Sequence, residues 1–244
     1  MLKNSLNVII IAIAVVISSY LFSNAFQNRN KSDNTISVTG SGKKDFVSDL
    51  IVWSGSFSKK SMTLKDAYSE LDADRAKIRS YLSSKGIAAN EMVFSAVNFN
   101  KEFETSYYEN GTMRQQTFTG FTLTQSVNIQ SKEVNKIEEI SRQSSELINS
   151  GIEFYSGSPE YYYTKLAELK IQMIAEATKD ASARANSIAE NANASLGNLK
   201  KSDMGVFQIT GQNSSEDFSY GGSFNTQSKN KTAHITVRLA YQVD

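Results

Sequence analysis

Three short patterns in this 244-residue sequence match signatures of enzymes that acylate a nucleophilic serine. Residues 41–44 (SGKK) fit S-x-x-K, residues 32–34 (SDN) fit S-D-N, and residues 231–233 (KTA) nearly fit K-T-G. That chemistry needs the serine at the start of a buried helix, with the S-D-N following it. Here the order is reversed and the candidate serine falls between two predicted strands. We therefore interpret the three matches as coincidental.

A glycine-rich stretch at residues 40–43 (GSGK) resembles a phosphate-binding loop but fails its spacing. The Walker signature would need glycine at Ser37 and serine or threonine at Lys44. Neither is present, and we interpret the stretch as a turn between strands. The carboxylates of Asp72 and Asp74 lie two residues apart on a predicted helix and point in different directions, so they do not form an acid–base pair.

The composition excludes several other kinds of site. The chain has no cysteine, which excludes disulfides, thiolate metal sites and a cysteine nucleophile. Its single histidine, His234, falls on the polar face of a predicted strand, so multi-histidine metal sites are excluded too. The 26 basic and 25 acidic residues give a net charge of +1, without the basic excess typical of nucleic-acid-binding proteins. We therefore predict no catalytic, metal or cofactor-binding residues and no nucleic-acid partner.

The N-terminal segment, residues 1–26, carries the strongest apolar signal. An unbroken apolar run occupies residues 8–17, and residues 20–22 continue it. A helix over residues 6–26 would be about 30 Å long, which matches the core of a bilayer. The segment is therefore predicted to be a membrane helix. Its predicted membrane positions include Leu6, Val8, Ile17, Tyr20 and Phe22.

Two interpretations of this segment remain open. A signal anchor would stay in the membrane, whereas a signal peptide would be cleaved after Ala25. Charge does not orient a retained helix, because Lys3 lies on one side and Arg29 and Lys31 lie on the other. In both cases residues 27–34 are expected to form a polar tether.

The first half of the remaining chain predicts two strands and a helix. We expect a strand near residues 35–39, a turn at residues 40–42, and a second strand at residues 46–57 that is apolar on both faces at its centre. Thr63 is expected to cap the following helix, and Gly86 to end it in a left-handed conformation.

A hairpin is the clearest local signal. Asn110-Gly111 is the dipeptide preferred in a two-residue hairpin turn, and strand-like arms flank it over residues 92–108 and 112–129. Such a turn places Phe103 opposite Phe118 as a cross-strand aromatic pair.

The elements after the hairpin complete an α+β pattern. A second helix is predicted from residues 131 to 151, a strand at 152–155, and a long Ala-rich third helix at 163–195. Two further strands follow, near residues 205–210 and 232–243, separated by a polar loop. The fold class is therefore α+β: a mainly antiparallel sheet with a split β-α-β core, a long hairpin and three helices, preceded by one membrane helix.

Six stretches of the chain follow a shared family pattern: residues 36–40 (ISVTG), 120–121 (GF), 158–170 (SPEYYYTKLAELK), 177–189 (ATKDASARANSIA), 196–197 (LG) and 204–210 (MGVFQIT). In these stretches the chain resembles the bacterial SIMPL-domain family. The resemblance is most specific through the long helix and weaker in the hairpin and the polar loop. It covers roughly Thr35 to Val243, within a domain that we assign to residues 35–244 and that two sub-lobes could divide.

The resemblance implies a protein of the cell envelope with an α+β fold and a tendency to oligomerise. It implies no catalytic residues, because the family has no agreed activity, and it carries a general link to envelope or oxidative stress. The protein would be anchored in the inner membrane with its domain in the periplasm, or released into the periplasm after cleavage. The expected partners are the membrane and further copies of the chain.

We therefore expect a non-enzymatic scaffold or interaction module that forms a homo-oligomer and uses no cofactor. One alternative is a monomeric ligand-binding module, whose small-molecule ligand the sequence does not identify. Its pocket would be lined by Phe103 and Phe118 or by Tyr161, Tyr162 and Tyr163, which are also the candidate interface residues. A hydrolase is the least favoured alternative, since no base accompanies the serines.

Overall fold

The computed structural model describes residues 2–29 and 34–243, without the side chains of residues 2–10 and 26–29. Helix α1 spans Leu2–Arg29. Leu6 and Val8 are two of the predicted membrane positions, and their side chains lie outside the described parts. Residues 30–33 of the predicted tether also lie outside them. Within the described ranges, no helix combines the length and apolar character that a membrane span requires. The membrane helix therefore stays a prediction.

The remainder of the chain confirms the α+β class, with predominantly antiparallel sheets. It contains eleven described strands and four described helices after α1, together with a short 3₁₀ turn at Ala89–Glu91. The elements are β1 Thr35–Val47, β2 Leu50–Ser61, α2 Leu64–Ser84, β3 Met92–Phe94, β4 Asn98–Tyr107, β5 Met113–Ser131, α3 Val134–Gln143, α4 Glu146–Asn149, β6 Phe154–Ser156, β7 Glu160–Tyr162, α5 Leu166–Asn191, β8 Leu196–Met204, β9 Gln208–Gly211, β10 Ser223–Phe224 and β11 Asn230–Val243.

Two compact units divide the chain. Unit 1 comprises residues 1–42, 174–205 and 235–244, and unit 2 comprises residues 43–173 and 206–234. Strands β1 and β11 and helix α5 each contribute residues to both units. The sheet that includes β1 has the order β1-β11-β9-β10, with β8 also paired to β11.

The second sheet lies within unit 2 and has the order β3-β5-β2-β6. Strand β4 continues along β5 beyond β3, and β7 continues along β2 beyond β6. All of these pairs are antiparallel. The chain order β2, α2, β4, β5, α3, β6 together with the spatial order β4-β5-β2-β6 is that of a split β-α-β motif.

The core of unit 2 lies between this sheet and helices α2 and α3. Alternate residues of β2 point to the same face, which buries Ile51, Trp53 and Phe57. Helical spacing brings Leu71 and Ile78 of α2 to the same core. Thr63 caps α2 as predicted, its hydroxyl oxygen accepting from the N–H of Asp66 at 3.2 Å, and Gly86 follows with φ +81°.

The predicted turn at residues 40–42 is wrong, because β1 runs without a break from Thr35 to Val47. Gly40 instead allows close packing on α5 within unit 1. A Cβ atom at this position would lie 2.3 Å from both the carbonyl oxygen of Ala177 and the nitrogen of Ala181. The interruption between the first two strands falls later, at Ser48 and Asp49. This position lies inside the segment 46–57, which was predicted to be one continuous strand.

The predicted count of three helices is also wrong, because the helix expected over residues 131–151 is interrupted after Gln143. The buried Ser144 hydroxyl donates to the carbonyl of Ser141 at 2.7 Å, and the Ser141 hydroxyl donates to that of Glu138 at 2.8 Å. Side-chain bonds of this kind compete with the backbone helix. The result is two shorter helices, α3 and α4.

The hairpin forms where it was predicted, with a longer turn. The N–H of Tyr108 donates to the carbonyl of Thr112 at 2.9 Å, and Gly111 has φ +79°, which makes a three-residue loop. A register shift between Ser106 and Tyr107 compensates for the extra residue. The predicted pairing of Phe103 with Phe118 is therefore confirmed.

Candidate functional site

The hairpin aromatics lie on a part of unit 2 that extends past the end of β2. We call residues 102–107 and 113–120 the distal hairpin. The last β2 pair joins Ser61 to Phe121, so beyond this point β5 has β4 as its partner among the described strands. The rings of Phe103 and Phe118 have centroids 5.6 Å apart, and Phe118 contacts Phe121 at 5.1 Å. Phe103 nevertheless remains 48% exposed.

The three candidate tyrosines lie in and just after β7. Tyr161 is buried. The ring of Tyr162 lies 6.4 Å from that of Phe224, and the ring of Tyr163 lies 4.8 Å from that of Phe46. Each ring is thus placed by its neighbours within unit 2.

The two aromatic groups are well separated along β2. Tyr161 pairs with Ile51 near the start of the strand, whereas Phe121 pairs with Ser61 at its end. Ten residues of extended strand span about 33 Å. The structure therefore does not bring the phenylalanines and the tyrosines into one pocket, and a ligand or interface role for either group stays a prediction.

A different feature of unit 2 combines charge with a concave shape. A cleft of about 580 Å³ lies beside the first turn of α3. We call it the cationic cleft, because its lining includes four lysines, Lys132, Lys136, Lys165 and Lys229, against two carboxylates, Asp49 and Glu133. Volumes of this size are typical of small-molecule sites.

Hydrogen bonds from separate chain segments hold the walls of the cationic cleft. The N–H of Ser48, in the break between β1 and β2, donates to the carbonyl of Lys229 at 2.9 Å. The Asp49 carboxylate accepts both from the N–H and from the hydroxyl of Thr164, each at 2.7 Å. The hydroxyl of Ser131 accepts from the N–H of Glu133 at 3.1 Å and so orients the start of α3.

The charges in the cationic cleft are only partly balanced. Lys136 forms an ion pair with Glu133 at 3.3 Å, and Lys229 forms one with Glu138 at 2.8 Å. The hydrogen bond from Lys229 is the main reason that the pKa of Glu138 is lowered, so Glu138 stays ionised. The ammonium groups of Lys132 and Lys165 form no ion pair or hydrogen bond with the described residues, which leaves the cleft an excess of positive charge.

One buried polar atom in the wall of the cationic cleft is unsatisfied. Ser48 is only 4% exposed and lines the cleft, and its hydroxyl has no hydrogen-bond partner among the described residues. Most buried hydroxyls in native proteins have a partner, so an exception calls for an explanation.

Comparison with known families identifies the chain. The model of the SIMPL family, described as a protein of unknown function (DUF541), matches residues 36–240. The chain belongs to the SIMPL family. The match covers well over half of the sequence and includes both the distal hairpin and the cationic cleft. No curated protein matches the chain.

The SIMPL domain of this chain also buries one lysine. Lys231 is 1% exposed, and its ammonium group donates to the carbonyls of Tyr161, at 2.8 Å, and Asn225. Burial lowers its pKa from 10.5 to about 8, against an opposing effect of Glu216. Lys231 belongs to the KTA match of the sequence, but its bonds to backbone carbonyls make it a structural cross-link between β11 and two neighbouring segments.

No sequence motif marks the cationic cleft of this SIMPL protein. Its residues come from four segments, near positions 48, 132, 165 and 229, and none of these forms a recognisable motif. The only local signal was Lys132 and Lys136, spaced by four residues at the start of a predicted helix. No group of three or more histidine, aspartate and glutamate side chains in the described chain is placed to hold a metal ion.

Proposed function

We propose that this SIMPL protein is a non-enzymatic protein of the bacterial cell envelope that acts as an oligomeric scaffold or interaction module. The observation that carries the proposal is the distal hairpin with its exposed aromatic side chains. Within the distal hairpin, Tyr107 is 64% exposed and Phe103 is 48% exposed, and Phe99, just before it on β4, is 56% exposed.

The geometry of the distal hairpin favours a protein partner. Its eight β5 residues, 113–120, extend about 27 Å beyond the end of β2. A two-stranded ribbon is marginally stable in water, and exposed apolar patches commonly mark interaction surfaces. Packing against another protein surface would stabilise the distal hairpin.

A second copy of the same chain is the occupant that fits best. Strand β4 lies at an edge, since β5 is its partner among the described strands. Its free backbone groups can pair with the equivalent strand of another copy, which gives a two-fold symmetric interface. The exposed aromatics would then be buried on both copies.

The proposed location rests on the N-terminal segment. The sequence has an apolar run at residues 8–17, and exposed apolar side chains continue along α1 as far as Phe22. Such a surface is stable when lipid or protein covers it. We propose that the helix anchors the domain in the inner membrane, facing the periplasm, and that cleavage after Ala25 would instead release it there.

A native mass measurement of the full chain extracted in mild detergent tests the proposal. We expect a defined oligomer at micromolar concentration, and the subunit mass reports whether the N-terminal segment is retained. The double variant Phe103→Ser/Tyr107→Ser should dissociate it, whereas the control Tyr220→Ser, which replaces a fully exposed loop aromatic, should not. A wild-type mass equal to one chain would overturn the scaffold, and an unaffected double variant would remove the distal hairpin from the interface.

A further inference from the structure

We propose that the cationic cleft is a binding site for a phosphoryl group, carried either by a small phosphate compound or by a lipid headgroup. Three independent features of the cleft point to a compact oxyanion. They are the start of α3, the unsatisfied hydroxyl of Ser48 and the excess of lysines.

The start of α3 supplies backbone donors. Helix α3 has ten residues, and Glu133 at its N-cap position makes no side-chain capping bond. The N–H groups of Asn135 and Lys136 lie in the first turn, where an α-helix provides no internal acceptor. Both residues line the cleft. The partial positive charge of the helix end adds to the attraction for an anion.

The hydroxyl of Ser48 is the second feature. Its donor has no acceptor among the described residues, although the side chain is almost fully buried in the cleft wall. A phosphoryl oxygen accepts a hydrogen bond from a hydroxyl, so a bound phosphoryl group would satisfy Ser48. The unsatisfied hydroxyl of Ser48 distinguishes the cleft from an ordinary cluster of surface lysines.

The lysines are the third feature. Lys132 and Lys165 form no ion pair within the described chain, and they line the cleft from different segments, one just before α3 and the other just before α5. Ammonium groups bind phosphate as point charges, with short charge-assisted hydrogen bonds. The charge of Glu133 is offset by its ion pair with Lys136, whereas Asp49 is hydrogen-bonded by the neutral Thr164 and keeps its charge. Two unpaired lysines therefore outweigh one unpaired carboxylate in the cleft.

The cleft has more room than inorganic phosphate needs. A volume of about 580 Å³ also accommodates the organic part of a small phosphate monoester, with the phosphoryl group at the helix end. The same chemistry would recognise the headgroup of phosphatidic acid in a membrane.

Binding is tested on the full chain in detergent by isothermal titration calorimetry with inorganic phosphate and with glycerol phosphate. A third arm titrates a short-chain phosphatidic acid in the same detergent, against phosphatidylcholine of the same chain length. We expect a dissociation constant below about 1 mM for at least one phosphoryl probe. Tighter binding of the soluble probes identifies a small phosphate compound, and tighter binding of phosphatidic acid, without binding of phosphatidylcholine, identifies a lipid headgroup.

Charge-matched variants separate a defined site from general attraction. Lys132→Gln/Lys165→Gln should weaken binding about tenfold or more, because two charge-assisted hydrogen bonds are lost. The control Lys179→Gln/Lys200→Gln removes the same charge from exposed positions of unit 1 and should change the affinity less than twofold. Ser48→Ala should weaken binding several-fold without lowering the melting temperature of the free protein, since it removes an unsatisfied group.

Three results would overturn the proposal. They are the absence of binding to every phosphoryl probe, an equal loss of affinity in the control variant, and unchanged affinity in both cleft variants. The oligomeric mass, measured on the same samples, reports on the scaffold independently, because the cleft lysines are not part of the distal hairpin.

Discussion

A helix packs on a strand in both compact units, but the two contacts are built from opposite kinds of side chain. In unit 2, helices α2 and α3 meet a sheet that presents Trp53 and Phe57. In unit 1, α5 presents the buried Ala177 and Ala181 to β1, where Gly40 has no side chain at all. Large side chains fill a wide gap in the first case, and the backbones approach closely in the second.

The two contacts should therefore fail in different ways. A core of large side chains loses stability when atoms are removed, because a cavity remains. A close backbone contact loses stability when atoms are added, because backbone cannot move aside as a side chain can.

The two units also differ in their buried polar residues. Those of the described chain lie in unit 2, with Lys231 among them, whereas the buried positions of unit 1 are apolar.

The largest effect is expected for Trp53→Ala in unit 2. It removes a fully buried indole and its hydrogen bond to the Ser156 hydroxyl at 3.1 Å. The free energy of unfolding, measured in urea, should fall by about 3–5 kcal/mol. Tyr155→Ala, at an exposed position of the same unit, should cost under about 0.5 kcal/mol. A loss below about 1 kcal/mol for Trp53→Ala would contradict the view that large buried side chains stabilise unit 2.

Adding one methyl group in unit 1 should have a comparable cost. Gly40→Ala places a Cβ atom against backbone atoms of α5, and we expect a loss of about 3 kcal/mol in urea denaturation. Gly221→Ala in unit 2 is the control, since its Cβ would meet no heavy atom within 4 Å. It should cost under about 0.5 kcal/mol. Equal losses at the two glycines would break the comparison.

The buried lysine of unit 2 predicts a stability that changes with pH. Because burial lowers the pKa of Lys231 to about 8, the unfolded chain binds more protons than the folded chain between pH 8 and 10.5. The free energy of unfolding should therefore rise through this interval, by on the order of 2–3 kcal/mol. Below pH 8 the cost of the buried charge is fully present.

Lys231→Met isolates this contribution from the other lysines. The difference in unfolding free energy between wild type and variant, measured at several pH values, should change by the same amount over that interval. A constant difference would show that Lys231 keeps an ordinary pKa.

The smallest effect is expected where a methyl group is removed from unit 1. Ala185→Gly lowers the helix propensity of α5 and removes one buried methyl group, so we expect a loss of about 2 kcal/mol. Ala183→Gly at an exposed position should cost about 1 kcal/mol from propensity alone. Both losses are measured by urea denaturation. A difference of more than about 2 kcal/mol between them would show that unit 1, like unit 2, is stabilised mainly by side chains that fill its core.

Local patterns predicted the parts of the fold that depend on local chemistry. The strand predicted for residues 232–243 is present as β11, where alternate side chains, Ile235, Val237 and Leu239, are buried. The N-cap at Thr63 and the hairpin at Gly111 follow from the conformational preferences of single residues.

The errors arise where a distant segment decides the local structure. Gly40 indicated a turn, but its role is set by α5, about 140 residues later. Strand β8 was missed because most of its residues are polar and exposed, and only its pairing with β11 reveals it. The cationic cleft was missed for the same reason, since the four segments that form it meet only in the folded chain.

The arrangement of unit 1 has a consequence for how the protein is made. The carbonyl of Asn34 accepts from the N–H of Val243 at 2.8 Å, so the first strand is completed by residues that leave the ribosome about 200 positions later. Unit 1 therefore cannot fold completely until nearly the whole chain has been synthesised, and contacts between residues so far apart in sequence form slowly. During that interval β1 of the nascent chain lacks its strand partner and is exposed to proteases and chaperones. Unit 1 is therefore the part of the protein most open to degradation or misfolding during synthesis.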